Sequence, residues 1–334
     1  MKAAFIRGHG GPELLEVGEQ PEPRIGPYDL KVAVKAASIN PIDWKIRNGL
    51  LKIMMRYPMP LILGQDLSGT VTAVGAKVAR FKPGDDIFAR LDKASIGALA
   101  EIAAVRETDA ALKPPNLSHV EAASIPLVGL TAWQVLRDHM GLNPGQTVLI
   151  HAGSGGVGTI AIQLARTLGA RVFTTASARN APMLQRLGAE RVIDYRSERF
   201  DDALKDVDAV FDTQGGETLL RSIAITRPGG CVVTIGGIPT ARVMREWDLA
   251  PWKQWLAAFM NRKATALAAR RKVRFDYHFM SPSGAQLAAL ARLLEDRKIV
   301  PVIDRVFALD DAREAFAHAE AGHAVGKVVI AVAP

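Results

Sequence analysis

The sequence predicts an α/β protein of two domains, one irregular and β-rich, the other a doubly wound parallel sheet. Three observations carry this expectation. The chain has 334 residues, which is long for a single compact core. Its texture changes near Ser118, from short alternating segments broken by Gly and Pro to a regular succession of strands and helices. Finally, Gly153-Ser154-Gly155-Gly156-Val157-Gly158 lies between a β-branched apolar run and a helix-forming run, as in a strand–turn–helix unit.

In the first region strands are expected at 2–6, 30–36, 69–74, 86–88 and 99–105. Turn residues separate them at Gly10-Gly11-Pro12, Gly26-Pro27 and Lys82-Pro83-Gly84-Asp85. Helical segments at 120–124 and 129–139 lead into the second region. There, strands fall at 147–151, 171–175, 191–194, 209–212 and 231–236, with helices at 156–168, 181–187, 200–204 and 217–226 between them. Parallel neighbours need such crossovers, and the helices then cover both faces of the sheet. Residues 243–271 form a helical, Trp- and Arg-rich insert whose role stays open: covering a cleft, extending a dimer surface or touching a membrane. A sixth strand is expected at 273–280, and the tail returns to the first texture with helix 283–297, strand 303–307, helix 310–321 and strand 327–332. The expected domains are therefore 1–125 completed by 281–334, and 126–280.

Composition excludes several classes. Hydrophobic residues make up 49% and charged residues 23%, as in an ordinary globular protein. No apolar run reaches the length of a membrane span. Residues 1–7 look like a first strand, without the character of a signal or transit peptide, so a cytoplasmic location is expected. Cys231 is the only cysteine, which rules out an intrachain disulfide and a cysteine-based zinc cluster. The net charge of +8 is dispersed apart from the basic run at 262–274, taken here as a solvated helix and strand entrance. No nucleic-acid partner is expected, and membrane-surface association is the minor reading. A positive balance also suits a ligand that carries several phosphates.

The glycine turn carries the chemistry. Glycines at a strand-to-helix turn let the backbone approach a pyrophosphate, while the amides of the helix N-terminus face its charge. Gly153, Ser154, Gly155, Gly156, Val157 and Gly158 are thus candidate dinucleotide contacts. The ends of the later strands are the usual ligand crevice of a wound sheet, which adds Asp212, Thr213, Gly236 and Gly237.

Motifs along nearly the whole chain carry a family resemblance. They are Ala37-Ser-Ile-Asn-Pro-Ile-Asp-Trp-Lys45, Leu63-Gly-Gln-Asp-Leu-Ser-Gly69, Lys82-Pro-Gly-Asp85, Gly129-Leu-Thr-Ala132, His151 to Gly158, Val192-Ile-Asp-Tyr195 and Gly322-His-Ala-Val-Gly-Lys327. Together they resemble the zinc-independent medium-chain dehydrogenase/reductase superfamily, in its NADPH:quinone oxidoreductase branch. The resemblance implies a GroES-like β-rich catalytic domain joined to a Rossmann domain, usually as a homodimer. It also implies cofactor contacts at Tyr195, Phe279 and Lys327, each of which has a plain structural alternative: edge packing, core packing and solvation respectively.

The end of the second strand of a dinucleotide domain discriminates between NAD and NADP, because an acid there binds the ribose 2′-OH and repels a 2′-phosphate. Here the strand at 171–175 continues into Ala176-Ser177-Ala178-Arg179-Asn180, with no acid. Ser177 offers a hydroxyl and Arg179 a charge-assisted bond, so NADPH is the expected cofactor. With Asn180, the same residues would equally serve as the cap of the following helix.

In zinc enzymes of this superfamily a cysteine, the histidine of a GHExxG motif and a second cysteine hold the metal. Asn40, Gln65 and Leu127 stand about where those ligands would lie, so no metal is expected and alcohol oxidation loses its electrostatic help. A quinone or enone delocalises the developing charge over a conjugated oxygen, and one or two donors suffice. The catalytic candidates are Asn40, Asp43, Lys45 and, at the nicotinamide, Thr131. Turn formation explains Asn40 equally simply, as helix capping does Asp43 and solvation Lys45. The sequence supports an NADPH-dependent reductase of a small-molecule quinone or α,β-unsaturated carbonyl. The competing readings are an enoyl thioester reductase and a non-catalytic NADPH-binding protein.

Overall fold

The computed structural model describes residues 1–332. The chain begins with β1 (Lys2–Ile6), β2 (Glu16–Glu19), β3 (Asp29–Ile39) and α1 (Pro41–Arg47). It continues through β4 (Leu61–Ile62), β5 (Asp66–Val74), β6 (Asp86–Arg90), β7 (Ile102–Arg106) and β8 (Ala110–Leu112) to α2 (His119–Ala123) and α3 (Pro126–Trp133). The alternating stretch is β9 (Thr147–Ile150), α4 (Gly156–Thr167), β10 (Arg171–Ala176), α5 (Ala181–Leu187), β11 (Arg191–Asp194), α6 (Phe200–Ala203), β12 (Val207–Asp212), α7 (Gly216–Ile225) and β13 (Thr226–Thr234). It closes with α8 (Ala241–Glu246), α9 (Pro251–Arg271) and β14 (Arg274–Tyr277). The tail holds α10 (Gly284–Glu295), β15 (Ile303–Ala308), α11 (Ala312–Glu320) and β16 (Lys327–Ala331).

These elements fall into two compact units. Met1–Leu130 and the segment from Ser281 onward form the first, and Thr131–Met280 the second. In the second unit six parallel strands stand in the order β11-β10-β9-β12-β13-β14. The order reverses between β9 and β12, and such a reversal is where a wound sheet opens a crevice at its strand ends. The strands are short and apolar because helices cover them: Leu149, Ile193, Val210, Val232 and Ile223 share one core with Ala264 and Ala268 of α9.

The first unit has a seven-stranded sheet of order β15-β16-β3-β5-β6-β8, with β7 also on β3, and a three-stranded sheet β2-β1-β4. All its pairs are antiparallel except β15 with β16. The tail enters the middle of the larger sheet, since β16 pairs with β3 from Ile39 to Ala36. Its core joins Leu30, Val32, Leu67 and Ile87 to Phe316 and Ile330 from that tail.

The departures from expectation have local causes. Strand β7 starts at Ile102 because Leu99 and Ala100 pair with β1 and the residues after Leu61 instead: Ala4 N donates to Leu99 O, and Leu99 N to Leu63 O. Strand β13 begins at Thr226, well before Cys231, by bulging Arg227-Pro228-Gly229-Gly230 out of the ladder so that Val207 faces Thr226 and Ala209 faces Cys231. A Pro-Gly-Gly run signals a turn, which hides the strand around it. The helix expected from 129 starts earlier, with Pro126 in its first turn, and continues from Gln134 to His139 as a π-helical turn. Three short strands lie outside the expected set: β4 and β8 have only two and three residues, and β2, Glu16-Val17-Gly18-Glu19, is broken by a glycine and two acids. Among the described residues no helix is long and apolar enough to cross a membrane.

Gly69 sits at mid-strand in β5, opposite Val34, where a Cβ would lie 2.2 Å from Ala33 O. Gly69→Ala must push two central strands apart. A loss of about 2–3 kcal/mol is expected, as for overpacked cores, and urea unfolding of the full chain measures it. An unchanged midpoint would contradict this packing.

Candidate active site

In the second unit β9 delivers the chain into the glycine turn. Ala152 there adopts φ +51, an uncommon conformation for a residue with a Cβ, and Gly155 N donates to Ala152 O at 3.0 Å. The tightness demands glycine at two places: a Cβ on Gly153 would meet Thr174 Oγ1 at 2.1 Å, and one on Gly158 would meet Ala152 O at 2.4 Å. Helix α4 therefore starts hard against the end of β9. Gly155 is its N-cap, no side chain caps it and no acid stands in its first turn. The amides of Gly156, Val157 and Gly158 precede the helix's own bonding pattern, and no carboxylate competes for them. Ser154 and Val157 are half-buried beside them. A pyrophosphate fits this terminus by charge and by donor supply.

His151, directly after β9, holds the turn in place. Its Nδ1 lies 3.1 Å from Thr175 Oγ1 and its Nε2 2.9 Å from Ser222 Oγ. Ser222 already donates its hydroxyl to Thr218 O, so its oxygen accepts from His151 Nε2–H. Burial pushes the imidazole down to about 4, so it is neutral at physiological pH and clamps the ends of β9 and β10 to α7.

Adjacent strand ends carry the other expected contacts. Ser177 is buried directly after β10 and accepts from Asn180 Nδ2 at 3.3 Å, whereas Arg179 is exposed. Tyr195, just past β11, is exposed with the Arg196 guanidinium 5.8 Å from its ring. At the end of β12 the buried Asp212 accepts from Gln214 N at 3.1 Å, Gly215 N at 2.9 Å and Thr234 Oγ1 at 2.6 Å. Thr213 donates to His151 O at 3.2 Å. A Cβ on Gly236 would meet Gln214 C at 2.8 Å, so the loops after β12 and β13 touch backbone to backbone. Gly237 follows at φ +75. Asp212 thus serves these loops with both oxygens. Thr131 is buried in α3, and half-buried Phe279 packs edge-on against Trp247 with ring centres 4.4 Å apart.

The first unit gathers a buried polar cluster that the sequence shows only in part. Asn40, Asp43, Gln65 and Asp66 have no exposed surface, and Arg90 and Lys327 are almost as deep. Asn40 is the cap of α1: Asp43 Oδ2 accepts from its backbone N at 2.8 Å. Lys327 Nζ donates to Asn40 Oδ1 at 2.5 Å and to Ile39 O at 2.8 Å, and stands 3.7 Å from Asp66 Oδ2. Asn40 Nδ2 donates to Asp66 at 2.8 Å, Ser38 Oγ to the same oxygen at 3.1 Å, and Leu127 N to the other at 2.9 Å. Gln65 links Asp43, at 3.4 Å, to Arg90, at 2.5 Å. Positions 40 and 127, far apart in the sequence, therefore converge on the Asp66 carboxylate, and Gln65 bridges the neighbouring Asp43 and Arg90.

Lys45 is exposed and lies outside this cluster; the cation against Asn40 is Lys327, which the family resemblance assigns to the cofactor. Asp66 and Arg90 are not among the residues that the sequence singles out. Their signal is a charge inside an apolar strand, in Leu63-Gly64-Gln65-Asp66-Leu67 and Ile87-Phe88-Ala89-Arg90-Leu91, where a charge persists only with partners. Burial pushes Asp66 up from the usual carboxylate range and Lys327 down from that of an amine, while each favours the ionised form of the other.

Asp43 generates a pH prediction. Burial, against the Asn40 amide bond, pushes its carboxyl from 3.8 up to about 7. The folded state holds this proton more tightly than the unfolded chain does, so the contribution is complete below about 4 and is lost as pH rises through about 7. Asp43→Asn cannot ionise. Between pH 4 and 7.5 the native protein should lose stability relative to this variant, read as the gap between their urea midpoints; a gap constant with pH would refute it. Lys327→Met strands Asp66 and should cost about 3 kcal/mol in the same assay.

Comparison with known proteins agrees with this architecture. Residues 26–115 match the family described as alcohol dehydrogenase GroES-like domain, and residues 187–330 the family described as zinc-binding dehydrogenase. The chain is 35% identical to the mitochondrial NAD(P)H oxidoreductase RTN4IP1 of Danio rerio, over 92% of this chain and 84% of that protein. It is 32% identical to the 2-methylene-furan-3-one reductase of Solanum lycopersicum, over 99% and 79% respectively. The quinone oxidoreductase structure from Coxiella burnetii superimposes with TM-score 0.87 at 34% identity, covering 100% of this chain and 99% of that one. The Escherichia coli quinone oxidoreductase, solved with NADPH, does so with TM-score 0.81 at 26% identity, covering 99% and 100%. With the six-strand wound sheet and the mostly antiparallel first unit, these matches place the chain in the medium-chain dehydrogenase/reductase superfamily, to which it belongs in the zinc-independent quinone oxidoreductase branch.

Proposed function

We propose that this oxidoreductase is an NADPH-dependent reductase that delivers a hydride to a quinone or an α,β-unsaturated carbonyl. The observation that carries the reading is the convergence of Asn40, Leu127 and Lys327 on Asp66, with Gln65 bridging the neighbouring Asp43 and Arg90. Where zinc enzymes polarise an oxygen with a metal, this chain holds a fixed amide braced by an ammonium group. Asn40 spends Oδ1 on Lys327 and one Nδ2 hydrogen on Asp66, which leaves its second Nδ2 hydrogen; because the residue is fully buried, this reading requires the bound substrate to open a path to it. A single oriented donor suits a substrate that spreads its charge by conjugation. The names of the tomato and Escherichia coli proteins, an enone reductase and a quinone oxidoreductase, point to the same acceptors.

The nicotinamide supplies the hydride when bound, and this chain's residues bind and orient. The first-turn amides of α4 take the pyrophosphate. Ser177, Arg179 and Asn180, with Tyr195 beside them, take the ribose 2′-phosphate at a strand end that lacks any acid. Asp212 shapes the loops of Thr213, Gly236 and Gly237 by its three accepted bonds, and Thr131 and Phe279 are assigned to the nicotinamide side. Lys327 orients Asn40. A homodimer belongs to the same proposal: among the described residues the parallel sheet ends at β11 and β14, and an unpaired edge strand can pair with a second copy.

Following NADPH oxidation with a quinone, an enone and an enoyl-CoA tests the reading. Turnover is expected on the first two. Turnover on the thioester alone would replace it with a thioester reductase, and tight NADPH binding without turnover on any acceptor would make the chain a binding protein. Arg179→Ala should raise KM for NADPH about tenfold, the value of one charge-assisted bond, and leave KM for NADH unchanged. Equal effects on both cofactors would remove Arg179 from the phosphate site. Asn40→Ala should lower kcat about a hundredfold with little change in KM.

A further inference from the structure

Helix α9 is built the wrong way round for an ordinary surface helix. Its buried residues are Ala257, Ala264 and Ala268, and with this small-residue face it packs on α7, α8 and β14. Its large apolar residues point away. Trp252 is 60% exposed, Trp255 69%, Leu256 43%, Phe259 48% and Met260 51%. At about 100° per residue these five positions form one stripe, roughly 140° wide, whose centre lies about 130° around the helix from the alanines. They are organised among themselves, since the Trp255 and Phe259 rings stack at 5.8 Å with 13° between their planes. Five bulky side chains on one face, all turned from the core, form a contiguous apolar patch of the kind that marks an interaction surface.

The charges around the stripe say what covers it. Between Pro251 and Lys272 the chain carries Lys253, Arg262, Lys263, Arg270, Arg271 and Lys272 and no carboxylate. Lys253 and Arg262 flank the stripe and Lys263 closes its far end. The Arg262 guanidinium lies 3.9 Å from the centre of the Phe259 ring, and the Lys253 ammonium 5.6 Å from that of Trp252. Upstream, Glu246 is paired with Arg242, and the exposed Asp248 stands before the helix start, so the acids lie outside α9 itself. A second copy of this face would bring cations against cations. A bilayer rich in anionic lipid complements both parts at once, taking indole and phenyl rings at the acyl boundary while basic side chains reach up to the headgroups. The helix is too polar to span a bilayer, so its place is in the plane of the surface.

We propose that the exposed face of α9 docks the protein on an anionic membrane surface, through Trp252, Trp255, Leu256, Phe259 and Met260 with Lys253, Arg262 and Lys263 around them. This inference does not depend on the reductase reading. The test is cosedimentation of the full chain with vesicles of phosphatidylcholine alone or with about 30% phosphatidylglycerol, in low salt and in ~0.5 M salt. Binding to the anionic vesicles is expected to exceed binding to the neutral ones at least tenfold, to fall with salt, and to shift tryptophan emission to the blue. A triple variant Trp252→Ala/Trp255→Ala/Phe259→Ala should lose the bound fraction, and Lys253→Gln/Arg262→Gln/Lys263→Gln should lose the preference for anionic lipid. NADPH binding and circular dichroism of both variants should match the parent, which separates lost docking from lost folding. Equal sedimentation with neutral and anionic vesicles would overturn the proposal. So would a smaller particle for the aromatic variant by light scattering, which would make the face a contact between copies.

Discussion

A carboxylate that water cannot reach organises the first unit. Asp66 opens β5 and takes hydrogen bonds from Ser38 on β3, from Asn40 at the cap of α1 and from the backbone of Leu127 in α3, with Lys327 of β16 close by. Burying such a group costs several kcal/mol unless every lone pair is answered. Each answer comes from a different element, so each element's position is dictated by the others. Asn40 inherits its orientation from this arrangement. Its amide is pinned on both sides, by Lys327 at Oδ1 and by Asp66 at Nδ2.

The second unit solves a different problem by the same economy of freedom. The turn after β9 must bring a helix start close to a strand end, and glycine at 153 and 158 allows it because any Cβ there would strike neighbouring atoms. His151, kept neutral by burial, ties the turn to β10 and α7. Asp212, an acid at a strand end where a ligand contact is expected, is occupied with its own loops. The two units thus place these buried ionisable groups in scaffolding roles, and the first-turn amides of α4 remain without intrahelical partners.

Much of this architecture is legible in the amino-acid sequence. The βα alternation announces a parallel sheet, and β1, α5 and β11 fall at their expected residues because periodicity and punctuation coincide there. What escapes does so for physical reasons. The bulge inside β13 carries Pro-Gly-Gly, the signature of a turn, and β2 and β8 are short edge strands held by pairing with β1 and β6 rather than by an apolar pattern of their own. In the site, Asn40 and Gln65 stand out by occupying positions where metal ligands are missing. Asp66, Arg90 and the second role of Lys327 do not, because a buried charge is recognisable only once its partners are brought together. Lys45, adjacent to the motif, looks the better cation; helical geometry turns it outward while Arg47 and Ile46 go in.

The pairing of β16 with β3 has a consequence for how the protein comes into being. Lys327 is far along the chain from Asn40 and Asp66, and the whole second unit is synthesised between them. On the ribosome the early strands wait with their acidic centre uncompensated until β16 emerges and slots into the sheet beside β3. The amide acquires its orientation only at that closing step. A chain interrupted after the wound sheet could still close the glycine turn, but Asn40 would lack its brace, so the two units complete their buried contacts at different moments of synthesis.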